Sequence, residues 1–308
     1  MNFKRQIISF AFVLMPLFGV SAQSSSEALG FGRFSQDASR SGLAGAGMAS
    51  GRSVAWASYD NPTAPLYSEM DFNVGAGWQS WAASQSSFYN ASASWRVIDR
   101  LAICAGFTYG SDKPYDVYSS NGRKNGTFTP TSMLLNLGVA YEVAPFLALG
   151  VNVHRASQTL AEKNSYSAFS ADVLASGEFV GVKVVAGVES IGTKVKSAGG
   201  KEFSLPASAK LALGYEGCSL GILSYGAYLD ADYFLSSKAV GVSAGLSVGY
   251  SDMACLRAGY HLGTENCIIP SYASVGLGAA VKGIKLDFAC LFGGQLSGTL
   301  VLNLGYSF

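Results

Sequence analysis

The feature that most constrains this chain is a repeated alternation of apolar residues with small or polar ones. In the last tract every second residue is large and apolar, as shown by Leu300, Leu302, Leu304, Tyr306 and Phe308. Successive side chains of a strand point to opposite faces. The pattern therefore predicts a strand with one apolar face, and it recurs in tracts such as 240–250 and 284–292.

Fourteen such tracts can be counted along the chain. They lie at about 72–82, 87–97, 101–110, 132–142, 146–157, 166–176, 179–189, 207–216, 219–230, 238–250, 253–262, 271–281, 284–292 and 298–308. The connections after even-numbered tracts are short, namely 98–100, 143–145, 177–178, 217–218, 251–252 and 282–283. Those after odd-numbered tracts are mostly longer. Tight turns on one side and long loops on the other are typical of outer-membrane barrels. The sequence predicts an all-β fold, a transmembrane antiparallel β-barrel of about 14 strands over 72–308.

Composition excludes several other classes of protein. Charged residues make up only 13% of the chain, with 21 Lys and Arg against 20 Asp and Glu, so no basic footprint for nucleic acid exists. The 37 glycines argue against a helix-rich enzyme, because glycine destabilises helix interiors. A soluble β-sandwich also alternates, but it rarely keeps a glycine-rich polar face over tracts of this length.

The first 22 residues have the pattern of a secretory signal peptide. Lys4 and Arg5 precede an apolar stretch over 7–19, and small residues end at Ala22, where cleavage is predicted. The alternative is a membrane anchor, but the stretch is short for a bilayer core of ~30 Å. We expect export and residence in the outer membrane of a Gram-negative cell.

Residues 23–71 do not alternate and are too long for a simple linker. The serine-rich start suggests a solvated tail, whereas the small residues over 40–47 suggest a short helix. Asn61-Pro62 predicts a turn, because the residue before proline avoids the helical region. We interpret 23–71 as a hatch or plug within the barrel, with Arg40 paired to Glu142 or Asp172. The alternative is a periplasmic tail.

Side-chain chemistry predicts no enzyme. By parity His154 and His261 face the lumen, and the five cysteines lack the spacing of metal ligands. We expect no catalytic site, cofactor or metal. The lumen-facing charges are of mixed sign, for example Lys183, Glu189 and Arg257, which argues against an ion-selective porin.

Two stretches resemble a known family. Residues 38–47 and 57–63 resemble the N-terminal pattern of the PorV/PorQ family, in which an arginine and small residues precede an aromatic residue and Asn-Pro-Ala. This chain has Thr63 at the third position. The hatch motif carried by the resemblance is Arg40, Gly45, Asn61 and Pro62. One face of the C-terminal tract resembles the signal that the barrel-insertion machinery recognises. It is formed by Leu302, Leu304, Tyr306 and Phe308.

The resemblance implies a function as well as a fold. It implies a FadL-like barrel of a Bacteroidetes-type outer membrane, in contact with outer-membrane lipid. It further implies a non-enzymatic accessory of type IX secretion or surface attachment that binds cargo sorting domains or attachment-complex proteins. The alternative is a FadL-like passive channel for small hydrophobic molecules.

Overall fold

A computed structural model describes residues 27–51, 54–119, 122–162, 164–196, 200, 202–219, 221–251 and 253–308. The predicted signal peptide and its cleavage site after Ala22 lie outside these residues. No helix in the described part of the chain is long and apolar enough to cross a membrane.

Fourteen strands close into one antiparallel barrel, which confirms the predicted fold class. The barrel strands are β1 (Phe72–Trp81), β2 (Ser86–Ile98), β3 (Leu101–Ser111), β6 (Thr131–Ala144), β7 (Leu147–Ala161), β8 (Asn164–Phe179), β9 (Val182–Gly192), β12 (Ser208–Ser219), β13 (Leu223–Phe234), β14 (Val240–Tyr250), β15 (Ala254–Gly263), β16 (Tyr272–Val281), β17 (Ile284–Phe292) and β18 (Thr299–Ser307). Each barrel strand pairs with its neighbours along the chain, and β18 pairs with β1 to close the wall.

The two longest predicted connections carry hairpins of their own. Strands β4 (Tyr115–Tyr118) and β5 (Lys124–Phe128) form one, and β10 (Val195–Lys196) and β11 (Glu202–Phe203) form the other. The sequence pattern did not predict them, because strands this short show little alternation. We call the barrel end that carries these long connections the outer mouth, and the opposite end the turn end.

Two predicted turns were misplaced. Gly177 and Glu178 belong to β8, and the chain reverses at Val180-Gly181, where both φ angles are positive. This backbone conformation fits the right-handed twist of a tight hairpin. Gly217 and Cys218 likewise belong to β12. Small and polar residues suggested turns at these positions, but their backbones continue the ladders.

The predicted faces of the strands are confirmed. Leu246, in the middle of β14, is 65% exposed on the outer face, whereas the adjacent Ser247 is 5% exposed and faces inward. The outward residues Leu304 and Val248 are exposed in the same way. A continuous apolar band on the outside of a barrel suits lipid rather than water. The barrel fold therefore supports contact with lipid in an outer membrane.

The N-terminal segment, residues 27–71, runs through the lumen from the outer mouth to the turn end. At the outer mouth the N–H of Ala28 donates to the carbonyl of Ser204 at 2.9 Å. At the turn end Arg96 donates to the carbonyl of Ser68 at 2.7 Å. Between them lie helix α1 (Ala38–Ser41) and three single turns of 3-10 helix at Gly30–Arg33, Val54–Trp56 and Ala64–Tyr67. The short helix predicted over 40–47 is misplaced, because the single helical turn covers Ala38–Ser41 and the small residues after it form turns.

Candidate functional site in the barrel lumen

Arg40 joins the N-terminal segment to the barrel wall. Its Nη2 lies 3.4 Å from Oδ2 of Asp230 on β13 and donates to the carbonyl of Gly45 at 2.6 Å. Its Nη1 forms an ion pair with Asp60 of the same segment. Arg40 is 5% exposed, and an arginine in such surroundings stays charged. The guanidinium therefore fixes the segment to the wall at the centre of the lumen.

The predicted partners of Arg40 were wrong. Glu142 lies at the turn end, where its N–H donates to the carbonyl of Arg100 in the β2–β3 turn. Asp172 is nearer the outer mouth and accepts from His154 and from the N–H of Ser190, both at 2.7 Å. The period-two alternation along the strands predicts that both carboxylates face the lumen, but it does not predict their depth.

Arg33 is a second anchor that the sequence analysis missed. Its Nη1 lies 2.8 Å from Oε2 of Glu189, and its Nη2 lies 3.1 Å from Oδ1 of Asp232. Lys210 also pairs with Asp232, at 3.0 Å. The hatch motif predicted from the sequence begins at Arg40 and does not include this arginine. Arg33 lies in the apolar stretch Gly30–Phe34, which is not typical of a solvated tail and could have indicated a buried position.

The carboxyl group of Asp60 is buried in the lumen and is paired with Arg40. Its Oδ2 is buried without a hydrogen-bond partner among the described residues. Because Arg40 is shared between Asp60 and Asp230, neither carboxylate has a guanidinium to itself.

The other residues of the hatch motif also lie in the lumen. The Oδ1 of Asn61 accepts from the N–H of Thr63 at 3.1 Å and from its hydroxyl at 2.8 Å, which forms the predicted turn. Pro62 packs so closely against Gly150 that a Cβ there would lie 2.6 Å from its Cγ. Gly45 has a φ of +84°, which favours glycine. Their function as a hatch stays a prediction.

A pocket lies at the outer mouth beside the segment. Its rim includes the apolar side chains of Leu29, Leu134 and Leu205, and the rest of its lining is largely polar and charged, with His154, Asn136, Arg33, Asp172 and Glu189. His154 bridges two wall residues, since its Nδ1 is 2.7 Å from Oδ1 of Asn136 and its Nε2 is 2.7 Å from Asp172. The predicted lumen position of His154 is thus confirmed.

An aromatic cluster lies next to this pocket. Phe31 of the segment stacks on Phe88 of β2, with ring centroids 6.3 Å apart and planes 14° apart. Phe88 also contacts Trp81 at 4.8 Å, and Phe34 meets Trp81 edge-on at 4.7 Å. The segment therefore places two of its own rings against aromatic side chains of the wall.

A second cavity, of 60 Å³, lies deeper between the segment and the wall. It is lined by charged side chains, including Arg33, Arg40 and Asp60, and by His261. The Nδ1 of His261 is 2.8 Å from the hydroxyl of Ser243, in line with its predicted lumen position. Within the described residues, no group of three or more His, Cys, Asp or Glu side chains is arranged to hold a metal ion.

The C-terminal face lies where parity predicted. Its four members all point outward and are exposed, namely Leu302, Leu304, Tyr306 and Phe308. The N–H of Phe308 donates to the carbonyl of Phe72 at 3.0 Å, and their rings lie 4.9 Å apart, at the seam between β18 and β1. Recognition of this face by the insertion machinery stays a prediction.

Comparison with known proteins identifies the fold. No family model matches the chain, and no curated protein matches it. Among solved structures, the toluene transporter TbuX of Ralstonia pickettii has a TM-score of 0.56 at 13% identity, covering 82% of this chain and 94% of that one. The CymD monoaromatic hydrocarbon channel has a TM-score of 0.59 at 12% identity, covering 87% and 96%. The Pseudomonas putida toluene transporter TodX has a TM-score of 0.54 at 14% identity, covering 82% and 92%. These TM-scores show that the chain shares the barrel fold of these transporters.

Proposed function

We propose that this protein is a passive outer-membrane channel for small hydrophobic molecules, with residues 27–71 as its hatch. The observation that carries the proposal is the outer pocket, whose apolar rim and aromatic neighbours lie inside a barrel fold shared with toluene transporters and a monoaromatic hydrocarbon channel.

The pocket suits an apolar solute on physical grounds. Removing apolar surface from water is favourable by roughly 25 cal/mol per Å². Leu134, Leu205 and Phe88 form one buried apolar cluster with Leu29 and Phe31 of the segment, so a solute gains this surface when the segment moves aside. Passage beyond the pocket requires the segment to shift, because Arg33 and Arg40 tie it to the wall there. Channel opening is therefore coupled to these ion pairs.

The secretion-accessory role implied by the PorV/PorQ resemblance is the second candidate. A lumen filled by the segment also suits a closed barrel that serves as a platform. The exposed hairpin of β4 and β5 at the outer mouth is a surface on which cargo sorting domains or attachment-complex proteins can dock. This role, and the assignment to a Bacteroidetes-type organism, stay predictions.

One deletion strain tests both candidates. Uptake of radiolabelled toluene and surface attachment of type IX cargo are measured in the parent, the deletion and complemented strains. The channel function predicts slower uptake with normal attachment, and the accessory function predicts the reverse. Complementation with Leu134→Gln, which makes the rim polar, is expected to leave uptake low. Thr131→Gln, at the outer end of the same strand, is the matched control. Unchanged uptake in the deletion strain contradicts the channel.

A further inference from the structure

One sector of the lumen wall carries an excess of buried carboxylates. Strands β8, β9, β12 and β13 are adjacent, and their lumen faces present four buried acidic side chains, Asp172, Glu189, Asp230 and Asp232. We call these four residues the acidic belt. Lys210 is the one cationic side chain that the described part of these strands places among them, and it pairs with Asp232 and Glu189.

Two other charge pairs on the lumen face join one wall strand to another. Arg257 pairs with Asp287 at 2.7 Å, and Lys183 pairs with Glu216 at 2.8 Å. In each pair both charges come from the wall, and Ser50 of the segment also donates to Glu216 at 3.0 Å. The acidic belt differs, because the wall supplies too few cations for it.

The missing cations come from the N-terminal segment. Arg33 reaches Glu189 and Asp232, and Arg40 reaches Asp230. Both guanidinium groups belong to the N-terminal segment, which polar contacts hold against the wall. Removing the segment would leave three more carboxylates than ammonium groups in the belt, apart from the imidazole of His154 on Asp172.

The two arginines also face a space that can hold water. Both line the 60 Å³ cavity, and the Nε atom of each is buried without a hydrogen-bond partner in the described part of the chain. A polar cavity of this size accommodates water. Each guanidinium group therefore borders a polar cavity as well as its carboxylate partners.

We propose that Arg33 and Arg40 are tethered counter-ions of the acidic belt, and that displacing the segment turns the lumen into a cation-selective pathway. Buried carboxylates that lose their guanidinium partners attract mobile cations, as acidic rings do in cation channels. This property is separate from the transport of apolar solutes, and it differs from the expectation that the mixed lumen charges argue against an ion-selective porin.

Reversal potentials in planar bilayers under a KCl gradient test the proposal. The full-length protein is recorded before and after urea is added on the turn side to displace the segment, and a variant lacking residues 28–66 is recorded without urea. The expected result is a closed parent and unplugged pores in which K⁺ permeates several-fold better than Cl⁻. In the deletion variant, Glu189→Gln/Asp230→Asn/Asp232→Asn is expected to abolish the preference. Arg257→Gln/Asp287→Asn, which removes a balanced pair, is expected to retain it.

Three results would overturn the proposal. They are equal permeability or a Cl⁻ preference in the unplugged pore, selectivity that survives the triple substitution, and the absence of any conducting state in both preparations. Toluene flux is measured on the same proteins, so failure of the ionic proposal is distinguished from failure of the channel function.

Discussion

Arg40 and Asp230 form an ion pair between residues 190 positions apart, with Nη2 and Oδ2 separated by 3.4 Å. Asp230 is 1% exposed and also accepts from the N–H groups of Gly47 at 3.1 Å and Met48 at 3.2 Å. A single wall carboxylate therefore holds both the helix of the segment and the turn that follows it.

Replacing Arg40 by Met is expected to destabilise the folded protein by about 3–5 kcal/mol, because it leaves two buried carboxylates without their guanidinium. Urea unfolding in detergent micelles, followed by tryptophan fluorescence, measures the change. Arg40→Met combined with Asp60→Asn and Asp230→Asn is expected to recover part of the loss. Lys194→Met, at an exposed ion pair with Glu202, is the control and should change stability little. A loss of similar size in both single variants would contradict the anchor.

Lipid contact by the outer face predicts unequal responses of adjacent residues on β14. Leu246→Arg is expected to cost about 2–4 kcal/mol in folding into bilayers, as charged residues do near the midplane. Ser247→Ala, on the lumen face, is expected to cost about 1 kcal/mol or less, the value of one hydrogen bond. Equilibrium refolding into lipid vesicles compares them. Equal costs would mean that the two faces are wrongly assigned.

The parts of this fold that follow a local rule could be predicted from the sequence. The outward face of β18 and the lumen positions of His154 and His261 follow from period-two alternation. The turn at Asn61 follows from backbone restrictions before proline. Each rule depends on residues close together in the chain, so no knowledge of the closed barrel is needed.

The pairing of charges across the lumen could not be predicted in this way. The alternation predicts that Glu142 or Asp172 pairs with Arg40 because both carboxylates face inward, yet the depth at which each side chain lies depends on strand stagger. Arg33 pairs with Glu189 and Asp232, on strands that meet only after the barrel closes. Alternation determines which face of the wall a side chain lies on but not its depth in the barrel. The ion pairs of the site depend on that depth.

The C-terminal residue is expected to matter for assembly. Deletion of Phe308 should lower the amount of folded barrel in the outer membrane, because it removes the end of the outward face and its contact with Phe72 at the seam. Heat-modifiable migration of the protein in membrane fractions measures this amount. Phe292→Ala, which removes an outward aromatic ring from β17, is the control. Wild-type levels after the deletion would count against an insertion signal at this position.

Under the proposed function, residues 27–71 close a channel for small hydrophobic molecules. The hydroxyls of Ser58 in the segment and Ser92 on β2 lie 2.9 Å apart and are buried, a spacing compatible with a disulfide after substitution by cysteine. Ser58→Cys/Ser92→Cys, in a background without the native cysteines, therefore ties the segment to the wall. Flux of radiolabelled toluene into proteoliposomes is measured before and after reduction, with each single cysteine variant as control. Flux is expected to be blocked in the oxidised protein and restored by reduction. Equal flux in both states would contradict closure of the channel by residues 27–71.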